Sequence, residues 1–337
     1  MLKKICASMI IFTVLLTGCK ANEEPESPVK EAGRNSANEV YPLTGLEAEE
    51  GENHRAIAVM VNNHPAARPQ SGLSKADVVY EVLAESNITR FLAIYQSEFP
   101  EKFGPVRSAR DYYVRLAKGY DSLFVFHGWS PEAKSLIESN YIDNINGLKY
   151  DGTLFERASF RKAPHNSYIT YDHVMEGAVE KGYDMDTSAP GYTFMSKEEV
   201  KEIKGDDYSK ISVSYGSSSF DVTYEYNEDS ETYSRYTAGV RTEDYDTNDP
   251  VELANILIIE AEHEVVDDKG RRDIDLESGG NAYLLQKGKL LKIQWESKDN
   301  RIVPVLDGEE VKLVPGKTWI NVMPTSGLTQ SVTLSNN

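Results

Sequence analysis

The sequence predicts an α/β or α+β N-terminal domain followed by a smaller, mainly β C-terminal domain. Two observations support this fold class. Strand and helix patterns interleave from residue 54 to about residue 200. From about residue 212 onward, period-two alternation and turn signals replace them. A chain of 337 residues is long enough to build one or two cores of ordinary size.

The N-terminus has the features of a bacterial lipoprotein signal peptide over residues 1–18. Lys3 and Lys4 precede an apolar run at 5–16. This run is shorter than the roughly 20 residues that span a bilayer. It ends in Leu-Thr-Gly-Cys, which matches a lipobox, so Cys19 is the predicted lipidation site. An ordinary secretory signal with a chance cysteine is the alternative. We expect a palmitate-bearing protein anchored to the extracytoplasmic face of the cell membrane.

Residues 19–52 are predicted to form a disordered tether between this anchor and the folded part. They are rich in Glu, Asn, Ser, Pro and Gly, and such a composition buries too little apolar surface to offset chain entropy. The two cysteines are Cys6, which lies inside the signal, and Cys19. The mature protein is therefore expected to have no intramolecular disulfide, no thiol nucleophile and no Cys-ligated zinc.

The N-terminal domain is predicted to span residues 53–200. Residues rich in β-branched and aromatic side chains predict strands over 56–62, 78–83, 90–96 and 123–127. Capping residues and terminal glycines predict helices over 109–118, 131–139 and 171–181. The first of these helices would be capped by Ser108 and closed by Gly119.

The C-terminal domain is predicted to span residues 201–337. Alternation over 220–226 indicates a half-buried strand, and 256–259 is a short buried run. A Lys-Gly pair at 287–288 joins two further strands as a hairpin. A last strand is predicted over 318–323.

The charge of the chain is unevenly distributed. The formal net charge is −18, yet residues 54–170 hold 14 Lys and Arg against 12 Asp and Glu, including 8 of the 14 arginines. Overall acidity argues against nucleic acid as a partner. The arginine-rich middle segment is the exception and suggests an anionic partner.

Arg107 and Arg110 are the sharpest candidates for a binding site. If Ser108 caps a helix, both arginines lie near its N-terminus, which already carries partial positive charge. A bound phosphate or carboxylate would resolve this conflict, because helix N-termini and arginine forks both bind anions. The alternative is that the arginines form structural salt bridges with Asp111, Glu81 or Glu85.

Other polar residues between positions 62 and 166 extend the candidate ligand-binding set. They are Arg68, Arg90, Arg161, His165 and Asn166. A neutral histidine beside arginines can act as a general base, although a lone histidine more often caps a turn. No HxxxH or Cys/His pair supports a zinc site. No cofactor is expected, unless the protein is an enzyme that uses magnesium, in which case Asp77 and Asp111 are the candidate metal ligands.

The motifs of this segment resemble those of the YerB-like lipoproteins of Gram-positive bacteria. The matching residues are Asn62, 67–72 (Ala-Arg-Pro-Gln-Ser-Gly), 76–81 (Ala-Asp-Val-Val-Tyr-Glu), 88–91 (Ile-Thr-Arg-Phe), 104–110 (Gly-Pro-Val-Arg-Ser-Ala-Arg) and 163–166 (Ala-Pro-His-Asn). The resemblance extends from about residue 44 to the C-terminus and implies two successive domains, but no particular activity. A weaker resemblance links residues 75–77 and 105–111 to the LytR-CpsA-Psr transferases, which grip a polyprenyl pyrophosphate with arginines and a magnesium-binding aspartate. The order of the Arg and Asp residues departs from that pattern.

Three hypotheses follow for the function. The first is an envelope lipoprotein that binds an anionic ligand or a protein partner through the arginine-rich cluster, in a scaffold or accessory role. Its partners would be a cell-wall polymer, a lipid-linked precursor or a membrane-bound wall enzyme. The second is a metal-dependent phosphoryl or pyrophosphate transferase or hydrolase that acts on cell-wall precursors. The third is a purely structural interaction module, with the arginines in internal ion pairs.

Overall fold

A twelve-stranded mixed β-sheet runs through the part of the chain that the computed structural model describes, residues 40–48 and 54–336. The order along this sheet is β21-β20-β19-β18-β15-β22-β2-β3-β1-β5-β6, and β9 pairs with β19 at one side. A second sheet has the order β13-β12-β11-β10-β23, with β14 paired to β12. Two small sheets are formed by β4-β8-β7 and by β16-β17.

The strands of the first half of the chain are β1 (Ile57–Asn62), β2 (Val78–Glu85), β3 (Ile88–Tyr95), β4 (Lys102–Phe103), β5 (Leu123–Phe126), β6 (Asn144–Asn146), β7 (Phe155–Arg157) and β8 (Ser167–Thr170). Those that follow are β9 (Asp206–Asp207), β10 (Lys210–Val213), β11 (Val222–Asn227), β12 (Thr232–Thr237), β13 (Val240–Arg241), β14 (Glu252–Leu253), β15 (Asn255–Ala261), β16 (His263–Val265), β17 (Arg272–Ile274), β18 (Gly280–Gln286), β19 (Lys289–Lys298), β20 (Arg301–Leu306), β21 (Glu309–Glu310), β22 (Thr318–Pro324) and β23 (Val332–Ser335). The α-helices are α1 (Asp111–Gly119), α2 (Pro131–Glu138), α3 (Gly147–Tyr150), α4 (Tyr171–Lys181), α5 (Lys197–Val200) and α6 (Gly327–Gln330).

Both faces of the large sheet are covered, which explains why its central strands are apolar throughout. Every residue of β1 is buried. Alternate residues of β1 and β3 belong to two hydrophobic clusters, one on each face. The first cluster includes residues of α4 and of the second sheet, and the other includes residues of α1 and α2. Strands buried on both sides read as continuous hydrophobic runs rather than as alternating ones.

The strand directions gather several chain segments at one edge of the large sheet. β1, β5 and β6 are mutually parallel, and so are β2, β22 and β15. β3 lies antiparallel between β1 and β2, so it begins where they end. We call this the carboxyl edge. Ligand sites in α/β proteins form preferentially outside the carboxyl ends of such strands.

The fold class predicted from the sequence is confirmed. Strands and helices interleave in the first half, and β-strands dominate after residue 205. α4 starts and ends as predicted, between the Thr170 cap and Gly182. The predicted hairpin at 287–288 joins β18 to β19. The predicted boundary between residues 200 and 201 stays a prediction, although β2 and β22, from the two halves, pair in one sheet.

The predicted start of the first helix is wrong. Its N-cap is Arg110, not Ser108, because the backbone of Arg110 is still extended, with φ −124° and ψ 158°. Ser108 instead donates its hydroxyl to the carbonyl of His127, 3.0 Å away. The segment that precedes α1 therefore lies along the carboxyl edge rather than within the helix.

The predicted tether is also too long. Residues 40–48 pack against the folded part, with Leu43 and Thr44 fully buried. The amide of Gly316 donates to the carbonyl of Thr44 at 2.7 Å. Composition did not predict this short folded run, because Leu43 is its one fully buried apolar side chain and most of residues 19–52 are polar. The signal peptide, Cys19 and the rest of the tether lie outside the described residues. No helix in the described part of the chain is long and apolar enough to span a membrane.

Candidate functional site

The carboxyl edge collects polar side chains from distant parts of the sequence. β1 ends at Asn62, His127 follows β5 directly, and β3 begins close to Arg90. The strand-like segment before α1 is held over this edge by backbone bonds. The amide of Arg107 donates to the carbonyl of Met60 at 2.8 Å, and the amide of His127 donates to the carbonyl of Arg107 at 3.0 Å. Arg107 is thereby placed between the ends of β1 and β5.

Two stacked histidines lie beside this segment, and their hydrogen bonds determine which ring nitrogen carries the proton. The rings of His64 and His165 are 4.4 Å apart and nearly parallel. Asn62 accepts the His64 amide through Oδ1, so its Nδ2 faces Nδ1 of His165 at 2.9 Å and must donate to it. Nδ1 of His64 accepts the amide of Ala66 at 3.1 Å. Both imidazoles are therefore neutral and carry their proton on Nε2.

No other described residue hydrogen-bonds to these Nε2 atoms, so each offers an unpaired N–H donor on a partly exposed side chain. The pKa of His165 lies below its usual value. Burial is the main cause, and the neighbouring His64, Arg107 and Arg161 add to it. The pair thus supplies two neutral donors rather than two cations.

His127 is fixed in the opposite tautomer. The guanidinium of Arg157 lies 3.0 Å from Nε2 and can only donate, so Nε2 is an acceptor. Nδ1 then carries the proton and donates it to the hydroxyl of Ser167, 2.8 Å away. The pKa of His127 is lowered by burial first and then by Arg157. In this arrangement His127 cannot take a proton from Ser167, so the two do not form an activated nucleophile.

Arg107 is the cation of the cluster whose side chain has no partner within residues 40–48 and 54–336. Its side chain is half-buried, and no described residue forms a side-chain hydrogen bond or ion pair with it. Burial lowers its pKa to about 10, and the charge of Arg90 adds to this effect. A guanidinium still holds its proton at that pKa, so a positive charge is kept partly out of water without a counter-ion.

Arg90 and Arg110, by contrast, are partnered by Glu85 at the end of β2. Arg90 donates to both carboxylate oxygens, at 2.9 and 2.7 Å, and Arg110 forms an ion pair with the same group. Arg90 also donates to the carbonyl of Ser108 at 2.7 Å. Both arginines are buried, with 5 % and 7 % of their surface exposed. This arrangement is a structural salt bridge, the alternative to anion binding that the sequence left open.

Arg68 and Arg161 hold loops together. Arg68 donates to the carbonyls of Ser219 and Asn63, each at 2.7 Å, and burial lowers its pKa to about 10. Arg161 donates to the carbonyls of Ala66 and Pro69, at 2.9 and 2.5 Å. Arg161 nevertheless lies beside the stacked histidines, because Ala66 is bonded to His64.

Asn166 lies next to His165 at the rim of the cluster. It accepts a long hydrogen bond of 3.4 Å from Arg157, and Arg157 is paired with Asp151 at 2.9 Å. The structure thus brings together Arg107, Arg157, Arg161, His165 and Asn166, with His64 and His127 added. Which of them contacts a ligand stays a prediction.

The two candidate metal ligands lie apart, at opposite ends of β2. Asp77, which precedes this strand, is fully buried, and its carboxylate accepts the amides of Gln96 and Ser97 at 2.6 and 2.8 Å. Burial raises the pKa of Asp77 to about 6. Asp111 opens α1, and burial raises its pKa as well. Within residues 40–48 and 54–336, no three His, Cys, Asp or Glu side chains form a group suited to a metal ion. These two aspartates therefore do not fit a magnesium site.

Beneath the carboxyl edge lies an ion pair that the sequence did not reveal. Glu81 and Arg235 are both fully buried and are 2.6 Å apart. The guanidinium carbon of Arg235 is 4.2 Å from the ring centroid of Trp319 and 5.2 Å from that of Phe91. Because 154 positions separate the two charges, no local pattern could have paired them.

Comparisons with known proteins agree with this architecture. A family model described as "Protein of unknown function (DUF3048) N-terminal domain" matches residues 43–184, and its C-terminal counterpart matches residues 211–320. The chain is 46% identical over 323 residues to "Putative lipoprotein YerB" of Bacillus subtilis (strain 168), covering 95% of this chain and 94% of that protein. A crystal structure of YerB from Bacillus subtilis superposes with a TM-score of 0.82 at 48% identity, covering 88% of this chain and 100% of the other. The weaker resemblance to LytR-CpsA-Psr transferases gains no support from these matches.

Proposed function

The chain belongs to the DUF3048 family of YerB-like lipoproteins, and from this premise we propose that it is an envelope lipoprotein that binds an anionic ligand at its carboxyl edge. Arg107 supplies the charge, and the Nε2 groups of His64 and His165 supply neutral donors. The ligand is a phosphate, or a carboxylate of similar size. A cell-wall polymer or a lipid-linked precursor carries such groups, and a wall enzyme would reach the site as a protein partner.

The name of the relative supports the location of this function. The Bacillus protein is described as a putative lipoprotein. We propose that Cys19 anchors this chain in the same manner and places the folded part on the extracytoplasmic face of the cytoplasmic membrane. The site would then meet envelope components rather than nucleic acid, in keeping with the net charge of −18.

The unpartnered guanidinium of Arg107 is the observation that carries the proposal. A half-buried charge without a counter-ion lowers the stability of the free protein. Proteins commonly retain such unfavourable features at residues that bind a ligand. The surrounding groups are matched to an anion. Asp151, a carboxylate at this cluster, is already paired with Arg157, and the two Nε2 groups are donors.

The contacts at the carboxyl edge also distinguish this proposal from the structural-module hypothesis and from the transferase hypothesis. Arg90 and Arg110 have the internal ion pairs expected of a structural module, so they support Glu85 and the edge rather than the ligand. The transferase hypothesis requires a metal centre, but the carboxylate of Asp77 already accepts hydrogen bonds from backbone amides. Arg107 and the two stacked histidines remain as the binding group.

The test is a titration of the chain from residue 40 onward, because residues 40–48 pack against the folded part that begins at residue 54. Inorganic phosphate and sulfate are added at low ionic strength, and binding is followed by calorimetry and by the melting temperature. Arg107→Gln should weaken binding by about tenfold or more, the value expected for a lost charge-assisted hydrogen bond. Arg115→Gln is the matched control, because Arg115 is exposed on α1 and contacts Glu277 only at 3.9 Å. Equal losses in both variants, or no binding by the unaltered protein, would reject the proposal.

A further inference from the structure

An exposed aromatic pair lies at the surface where the two halves of the chain meet. The rings of Phe160 and Tyr245 are stacked 4.9 Å apart with an interplanar angle of 4°. Phe160 is 56 % exposed and Tyr245 is 39 % exposed, so the pair keeps a large apolar surface in water. Aromatic surface left open in this way, and fixed in orientation, is typical of a binding surface rather than of a core.

The pair is rigidly placed. The amide of Tyr245 donates to the carbonyl of Gln70 at 2.8 Å, which ties this residue to the loop after β1. The guanidinium carbon of Arg161 lies 5.5 Å from the ring centroid of Phe160 and 5.4 Å from that of Tyr245. Arg161 therefore contacts both rings and also donates hydrogen bonds to the same loop. The platform needs little ordering when a ligand arrives.

The aromatic pair is continuous with the candidate anion site. Arg161 contacts both rings and donates to the carbonyl of Ala66, whose amide donates to His64. His64 in turn stacks on His165. Arg161 and the loop that follows β1 thus join the aromatic pair to the stacked histidines.

We propose that the ligand is a phosphorylated sugar, with its phosphate at Arg107 and the stacked histidines and its ring on the Phe160–Tyr245 platform. This inference rests on the proposed anion site and adds the chemical class of the ligand. One face of a pyranose is lined by C–H bonds and packs on an aromatic face, while its hydroxyls remain hydrated. Both rings are exposed, so the pair can pack against one face of a sugar ring while the hydroxyls on its rim stay in water.

The experiment compares three phosphates of increasing complexity on the unaltered protein: inorganic phosphate, glycerol 3-phosphate and glucose 1-phosphate. Glucose 1-phosphate should bind about fivefold to tenfold more tightly than the other two, as expected for one aromatic stacking contact. Phe160→Ala and Tyr245→Ala should reduce this preference to less than about twofold and leave the affinity for inorganic phosphate unchanged. Tyr245→Phe, which keeps the ring, should retain the preference.

A matched control is Leu306→Ala, because Leu306 is an exposed apolar residue on β20, far from the carboxyl edge along the sheet. It should change neither affinity. Equal binding of phosphate and glucose 1-phosphate would overturn the sugar assignment while leaving the anion site intact. Tighter binding of adenosine monophosphate than of glucose 1-phosphate would overturn it in favour of a nucleotide. Failure of all the phosphates to bind would instead reject the anion site itself.

Discussion

Arg107 and Arg110 differ in their partners, and this difference predicts stability changes of opposite sign. The sequence predicts that both arginines lie at one helix N-terminus and bind an anion together. In the structure, Arg110 is ion-paired with Glu85, whereas Arg107 has no side-chain partner among the described residues. We therefore expect the substitutions Arg107→Gln and Arg110→Gln to act differently on the ligand-free protein.

The expected stability change for Arg107→Gln follows from the pKa of Arg107, which burial lowers from its usual value to about 10. A base whose pKa is lowered by folding destabilises the fold at every pH below that value, because it is then held charged. One pKa unit corresponds to about 1.4 kcal/mol, which gives a ceiling of about 3 kcal/mol. The side chain is only half-buried, so screening by water reduces the expected gain in Arg107→Gln to about 1 kcal/mol or less.

Arg110→Gln should have the opposite effect. It removes one cation from Glu85, which keeps the two hydrogen bonds from Arg90. The loss of a charged hydrogen bond in a buried site costs about 1.5–3 kcal/mol. In a chain of this size, about 1 kcal/mol shifts the melting temperature by roughly 2 °C. We thus expect a fall of about 3–6 °C for Arg110→Gln and no fall, or a rise of about 2 °C, for Arg107→Gln.

Differential scanning calorimetry of the two variants in a buffer free of phosphate and sulfate makes the comparison. Arg115→Gln again serves as the exposed control and should leave the melting temperature within about 1 °C of the starting value. A clear loss of stability in Arg107→Gln, similar to that in Arg110→Gln, would show that Arg107 is also a structural ion-pair member. The proposed role of its free charge would then be refuted.

Three further predictions address the core, the protonation of the site and the anchor. Arg235→Met should destabilise the protein by about 3–5 kcal/mol because Glu81 remains buried without its counter-ion; denaturant unfolding measures this, and a cost below that of Arg110→Gln would contradict it. Sulfate affinity should change less than about twofold from pH 8 to pH 7, because Asn62 donates to Nδ1 of His165 and burial lowers the pKa of this imidazole, which keeps it neutral over that range. A steep rise toward pH 7 would mean that a histidine, not Arg107, supplies the charge. Cys19→Ala should yield a precursor without lipid in metabolic labelling, and normal labelling would rule out Cys19 as the anchor.

The sequence by itself determined the features that depend on neighbouring residues. The period of the apolar residues and the capping signals gave the fold class, α4 with its Thr170 cap and Gly182, and the β18–β19 hairpin, because such elements are specified within a few positions. The same local reasoning marked residues 62–166 as the segment with polar residues in excess. It failed at Ser108, where a good capping residue lies two positions before the helix that the chain actually forms.

Only the tertiary structure decided that Arg107, rather than Arg90 or Arg110, lacks a side-chain partner among the described residues. Arg90, Arg107 and Arg110 look alike in the sequence, and their different surroundings arise because β2 ends at Glu85, opposite the start of β3. The burial of Arg235 against Glu81 and the stacking of Phe160 on Tyr245 likewise join residues more than 80 positions apart. Charge pairing and desolvation depend on distance in space, and that distance is set by strand order rather than by any pattern within the chain.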